Sequence, residues 1–249
     1  MATDQLLHRF DPIRLDEMDR VKLQVRSDTK FVFGEQHLGS ILTGMLPEYR
    51  LLHVGGSFGT EYRTLSLDGP ELPCYLAHHN GRSYRSKVRF REYLGSDLAF
   101  LEVKRKTGRG GTDKARMQVA AIPDRPSPEE LVFIGKASGL DLDWTPVLWN
   151  RFGRLTFVHR TRAERLTIDR RITFEANGKE AALTGICIAE LKEEQGTKGS
   201  PFATLVKQQG LRPSGMSKYC TGIVLTGLAP KWNMFKESLL RVERLQAAA

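Results

Sequence analysis

Seven segments of this 249-residue chain alternate apolar and polar residues with period two, and the polar faces of several carry arginine and lysine. Alternation of this kind is the mark of a β-strand, in which residues i, i+2 and i+4 share one face. The segments are 29–33, 62–68, 87–93, 100–106, 152–158, 165–174 and 186–192. In 87–93, Lys87, Arg89 and Arg91 share a face and Val88 and Phe90 oppose them. In 100–106, Glu102, Lys104 and Lys106 oppose Leu101 and Val103. In 165–174, Arg165, Thr167, Asp169 and Arg171 oppose Leu166, Ile168, Ile172 and Phe174. Near the end, Glu190 and Lys192 share a face.

A sheet with one wet face accommodates such charges without further meaning. Here, however, the same cationic pattern recurs on several strands, and like charges opposite one another destabilise a sheet. A barrel whose interior holds a polyanion resolves the repulsion, because Arg forks and Lys ammonium groups bind phosphate oxygens. Glu102 and Glu190 recur in the shared form Glu-x-Lys, and such carboxylates suit Mg²⁺ or Mn²⁺, which take oxygen ligands and bridge phosphates. The expected architecture is therefore a β-barrel-like tunnel lined with Arg and Lys.

The formal net charge of +9 favours an anionic partner. Interleaved aromatics and cations would point to nucleic acid; here the aromatics fall mostly on the apolar faces, so no nucleic acid is expected. With 40% apolar residues a core forms without staples. No apolar run approaches the roughly 18 residues of a membrane span. The first ten residues lack a signal-peptide core. Cys74, Cys187 and Cys220 form no CxxC pair and read as reduced thiols of a cytoplasmic protein. His78 and His79, as neighbours on a strand, would face opposite ways and make a poor metal site.

Three stretches read as helices: 35–46, 127–138 with a Ser127 cap, Pro128 and Glu130, and 232–245 with Trp232, Phe235, Leu239 and Val242 on one stripe. Stretches 107–112, 123–127 and 195–200 read as loops. No boundary splits the chain. It is read as a single domain over 1–249, with a core of about 20–225 and a C-terminal packing helix of about 231–246.

At these residues the chain resembles the catalytic domain of the vacuolar transporter chaperone (VTC) polyphosphate polymerases, in the triphosphate tunnel metalloenzyme superfamily. The ordered motifs are Asp28-Thr29-Lys30-Phe31, Val88-Arg89-Phe90-Arg91-Glu92-Tyr93, Glu102-Val103-Lys104, Lys114-x-Arg116, Phe152-Gly153-Arg154, Arg165-x-Thr167-x-Asp169, Glu190-Leu191-Lys192 and Ser217-Lys218-Tyr219. The resemblance implies an α+β fold, an antiparallel β-barrel tunnel with flanking helices, and transfer of the γ-phosphoryl of ATP onto inorganic polyphosphate, with ADP released. It assigns Lys30, Arg89, Arg91, Lys104, Arg154 and Arg165 to the triphosphate. Lys87, Lys106 and Lys192 add to the cationic face, and Ser217 and Lys218 would hold terminal phosphates. Glu190 is the first metal-ligand candidate for Mn²⁺ or Mg²⁺. Glu102 is the second, with pairing to a neighbouring cation as its alternative.

The sequence departs from the eukaryotic enzymes at Phe152, where they carry Tyr, at Gly215, where they carry Lys, and at His78 or His79, near another Arg. Tunnel triphosphatases and cyclase relatives open with Glu-x-Glu-x-Lys; here the region reads Gln24-Val25-Arg26-Ser27-Asp28-Thr29-Lys30. Besides the polymerase, a tunnel triphosphatase and a non-catalytic polyphosphate-binding module remain open. A membrane-protein partner and the oligomeric state are not legible.

Overall fold

The computed structural model describes residues 3–18, 26–108, 111–197 and 199–248. Gln24 and Val25 of the first expected motif lie outside them, as do Arg109 and Gly110 in the loop 107–112 and Lys198 in the loop 195–200. Among the described residues the strands are β1 Pro12–Ile13, β2 Arg26–Gly34, β3 Tyr49–Val54, β4 Ser57–Phe58, β5 Thr60–Asp68, β6 Arg85–Leu94, β7 Leu98–Lys106, β8 Thr112–Val119, β9 Thr145–His159, β10 Glu164–Ala176, β11 Lys179–Leu183 and β12 Ile186–Glu194. The helices are α1 Thr3–Leu7, α2 Leu15–Met18, α3 Leu38–Met45, α4 Pro73–His79, α5 Pro128–Ser138, α6 Pro201–Gln208, α7 Lys218–Leu225 and α8 Lys236–Ala247. All seven alternating segments fall within strands.

The main sheet runs β2-β12-β10-β9-β5-β6-β7-β8, and every neighbouring pair along this path is antiparallel. β3 joins β9 at the side, and β11 extends β10. Among the described residues no backbone pairing joins β8 to β2. The sheet nonetheless curls until its ends face each other, because one cavity touches both Lys30 of β2 and Lys104 of β7. The edge of β2 is covered by the segment before α7: the Ser214 amide donates to the Lys30 carbonyl at 2.7 Å, and Ser214 Oγ accepts from the Val32 amide at 3.1 Å. Covering an edge removes a template for wrong pairing.

The outer face is apolar because alternate positions of the strands are apolar. Phe31, Phe33, Phe157, Leu166, Ile168 and Leu191 pack under Leu38, Ile41, Leu42 and Met45 of α3 and Phe202 and Val206 of α6. On the other half of the sheet, Leu65, Val88, Phe90, Leu101 and Val103 pack under Ile134 of α5. α5 starts as its sequence predicts, with the Ser127–Glu130 capping box formed and Pro128 in the first turn. Each buried Leu or Phe contributes about 1.5–3 kcal/mol.

The inner face is polar only in part, and here the structure corrects the expected register. The β9–β10 ladder shifts between Arg170 and Thr173, and Arg171 takes φ +51°. This bulge inserts one residue and reverses the alternation beyond it. Ile172 and Phe174 therefore leave the side of Leu166 and Ile168 and turn inward, packing with Val32, Leu148, Phe152 and Ile188. Arg171 is left outside and pairs with Glu61. Helix α7 seals this apolar end with Cys220 and Ile223.

Three other expectations change. The segment 35–46 opens with a 3₁₀ turn, Glu35–His37, before α3. The C-terminal helix starts at Lys236, so Trp232 precedes it and is 46% exposed, while Val242 is its buried residue. His78 and His79 lie on α4 and not on a strand. Asp68 anchors that helix by accepting from the amides of Cys74 and Tyr75, each at 2.9 Å. Among the described residues no helix is long and apolar enough to cross a membrane.

Gly222 faces the inner wall of the barrel. A Cβ there would stand 2.6 Å from both Leu148 Cδ2 and Phe174 Cδ1. Alanine is favoured over glycine in a helix by about 1 kcal/mol, but overpacking costs about 1–3 kcal/mol. Gly222→Ala is expected to lower stability by about 1 kcal/mol in urea denaturation; a raised midpoint would show that α7 has room to move.

Candidate anion-binding tunnel

The curled sheet encloses a cavity of about 260 Å³. Among the described residues its wall carries seven cations, Lys30, Lys87, Arg89, Arg91, Lys104, Arg154 and Lys218, against three carboxylates, Glu102, Asp169 and Glu190. The strand register brings them together. Lys30 is opposite Glu190, Asp169 opposite Arg154, Arg89 opposite Glu102 and Lys87 opposite Lys104. Lys104 is in turn opposite Lys114, so three lysines stand side by side across β6, β7 and β8.

Each carboxylate is shared by two cations. Glu190 pairs with Lys30 and Lys192. Asp169 accepts a two-pronged fork from Arg154, at 2.6 and 2.8 Å, and also pairs with Lys218. Glu102 accepts from Arg89 Nε at 2.7 Å and lies 3.7 Å from Arg91. Burial acts to raise the pKa of all three. For Glu190 the charges of Lys192 and Lys30 outweigh it, for Asp169 those of Lys218 and Arg154, and for Glu102 those of Arg89 and Arg91, so each is held below the usual carboxylate range.

At four of the cations the pKa is lowered as well, which here disfavours the charged form. Burial lowers Lys87 to about 8, and Lys104, Arg89 and Arg85 add to the effect. Burial lowers Lys218 to about 8 against the pull of Asp169. Arg91 is brought down to about 10 by burial and the adjacent Arg89. Lys104 is lowered by burial and then by Lys114, with Glu190 pulling the other way; that coupling spans the gap between the two ends of the sheet.

Helix α7 delivers the remaining polar groups. Ser217 is its N-cap: Oγ accepts from the Cys220 amide at 3.3 Å and from Lys87 Nζ at 3.0 Å. Lys218 stands 4.4 Å from the centre of the Phe152 ring, and Phe152 stacks on Tyr62 at 5.1 Å. The guanidiniums of Arg91 and Arg154 lie over Tyr62 at 5.2 and 5.3 Å. Tyr219, also on the cavity wall, donates to Asp68, which fixes the start of α7 against α4.

Lys30, Lys87, Arg89, Arg91, Lys104, Arg154, Ser217, Lys218, Glu102 and Glu190 thus line one cavity. Lys192 stands behind Glu190, also 3.5 Å from Asp28, and does not line it. Arg165 and Lys106 do not line it either. Arg165 is opposite Lys192, four pairs along the ladder from Asp169; Lys106 is at the end of β7, opposite Arg85. The wall also includes Thr64, Ser66 and Asn150, which the sequence reading passed over as neutral residues. Their signal lay in the register: Thr64 is opposite Arg91 and Asn150, and Ser66 is opposite Arg89.

Two buried atoms on this wall, Thr64 Oγ1 and Arg91 Nε, have no hydrogen-bond partner among the described residues. Among those residues no group of three or more His, Cys, Asp or Glu side chains gathers to hold a metal. Glu190 and Glu102 nevertheless fit a hard cation that takes most of its oxygens from phosphate and water, a common arrangement for Mg²⁺.

An antiparallel sheet curled round a cation-rich lumen, stoppered by a helix that presents Ser-Lys at its start, defines a candidate anion-binding tunnel. The sequence matches the VTC domain over residues 25–125 and 136–226, and the chain belongs to that family. No curated protein matches it significantly. Similar solved structures include candidate adenylate cyclases from Bacillus halodurans (11% identity, TM-score 0.48, covering 78% of this chain and 94% of that one) and Vibrio parahaemolyticus (11%, 0.45, 79% and 96%). A Hippeastrum adenylyl-cyclase-like protein described as having a dominant triphosphatase activity is 15% identical, with TM-score 0.45, covering 79% of this chain and 94% of that one.

An anion in the lumen stabilises the charged form of Lys87 and returns its pKa toward the ordinary lysine range. Binding therefore takes up a proton above about pH 8, and affinity falls as pH rises through about 8. Calorimetric titration with inorganic triphosphate is expected to show weaker binding and net proton uptake at about pH 9 relative to about pH 7. Constant affinity would show that Lys87 does not face the ligand.

Proposed function

We propose that this chain is a polyphosphate polymerase that transfers the γ-phosphoryl group of ATP onto a growing inorganic polyphosphate chain and releases ADP. The observation that carries this reading is the pair of orphaned atoms, Arg91 Nε and Thr64 Oγ1, buried in a wall with an excess of four cations. A buried polar group left unsatisfied costs about 1–3 kcal/mol. A run of phosphate oxygens would satisfy both atoms and relieve the Lys87–Lys104 repulsion together. Membership of the VTC domain family supports the same substrate class.

Phosphoryl transfer asks for alignment and charge neutralisation more than for covalent chemistry. Arg89, Arg91 and Arg154 offer planar forks, and Lys30, Lys87, Lys104 and Lys218 offer point charges. The carboxylates hold these side chains in place before substrate arrives, so little reorganisation is left for the reaction. Ser217 Oγ, set by the first turn of α7, can donate to a terminal phosphate. A chain end is already ionised, so no strong general base is required. Glu190, with Glu102 second, would hold Mn²⁺ or Mg²⁺, which when bound supplies further charge neutralisation at the phosphates.

The test is incubation of the purified protein with ATP and Mn²⁺, following ADP, free phosphate and polymer on stained gels. ADP with polymer is expected. Arg91→Ala should cut turnover by about 10²–10³-fold, as loss of one preorganised donor does, and Glu190→Gln should reduce it with a raised metal requirement. Free phosphate without polymer would replace the reading with a triphosphatase, and no turnover would leave a binding module.

A further inference from the structure

A second cavity, of about 420 Å³, lies between α4, the start of β6 and the C-terminal end of α5. Its wall is largely apolar, including Ala77, Leu140 and Leu142, with Tyr84, Arg85 and Arg105 beside them. It adjoins the tunnel through shared wall residues at the start of β6. Arg85 is shared with a third cavity of about 340 Å³, whose wall includes Lys30, Lys87 and Ser217 of the tunnel. Cys74 backs both the tunnel and the apolar cavity.

Tyr84 is 68% exposed, the most exposed of the large apolar and aromatic side chains among the described residues. Its ring is braced by backbone: a Cβ on Gly108 would lie 2.6 Å from Tyr84 Cζ and Oη. Arg105 is braced on the facing side, where a Cβ on Gly139 would lie 2.9 Å from its Nη1. Gly139 is the residue that ends α5, at φ +69°. An exposed, braced aromatic ring beside an apolar slot, with guanidiniums at its edge, has the chemistry of a base-stacking platform.

We propose that this cavity receives the nucleobase of the nucleoside triphosphate, stacked on Tyr84, with Arg85 guiding the phosphates toward Lys87 and the tunnel. The proposal rests on the tunnel holding the phosphates. It adds that the donor is recognised at its base and not by its phosphates alone, whereas an inorganic polyphosphate occupies the tunnel without using Tyr84.

The test compares ATP with inorganic triphosphate by calorimetric titration of the whole chain in the presence of Mn²⁺. Tyr84→Ala should weaken ATP about tenfold, in line with the loss of one base–aromatic stack, and leave triphosphate unchanged. Tyr84→Phe should retain ATP affinity. Equal effects of Tyr84→Ala on both ligands, or none on either, would overturn the base site while leaving the tunnel reading standing. Failure of the unaltered protein to bind either ligand would overturn the tunnel reading and the base site with it.

Discussion

Like-charge repulsion in a confined lumen is the constraint on which the rest of this structure depends. Seven cations share a cavity wall with three carboxylates. Desolvating so many charges is costly unless they are paired and hydrogen-bonded. The solution is economical in anions: Glu190, Asp169 and Glu102 each serve two cations. A fuller complement of carboxylates would make a neutral, inert interior. This ratio leaves the protein folded yet its lumen short of negative charge, as the proposed phosphate ligand requires.

The pairing also fixes geometry. Arg154 is aligned by its fork to Asp169, and Lys218 reaches the same carboxylate from α7. The helix is therefore docked to the sheet from two sides, by Asp169 in the lumen and by the Tyr219–Asp68 bond behind it. Asp68 also accepts from the backbone at the start of α4. The position of Ser217, and with it the Lys87 contact, follows from two buried aspartates that need never touch a ligand.

Much of this was legible in the sequence because strand alternation reads directly as a face. Lys87, Arg89 and Arg91 on β6 and Glu102 and Lys104 on β7 stand where their parity puts them. The illegible parts have physical causes. β8, Thr-Asp-Lys-Ala-Arg-Met-Gln-Val, carries its alternation on only three half-buried residues, Ala115, Met117 and Val119, so its signal is weak. The His78–His79 pair was misread because α4 is nucleated by Pro73 and by Asp68 from outside the segment. Thr64, Ser66 and Asn150 carry no charge, so only their cross-strand partners reveal their place. Arg165 keeps its parity but stands farther along its strand than the cavity reaches.

Parity itself fails at the bulge, and that failure has a use. Before Arg170 strand β10 lines a wet chamber; after it, the same strand lays the greasy floor. The depth of the chamber is thus written in the backbone, by where one extra residue falls, and not in the identity of any wall residue. Sliding that residue by two positions would move the floor by about 7 Å, one layer of side chains, since a strand rises about 3.4 Å per residue. The bulge is a ruler, and a lineage could retune how deep the lumen runs by shifting a single insertion while every wall side chain stays the same.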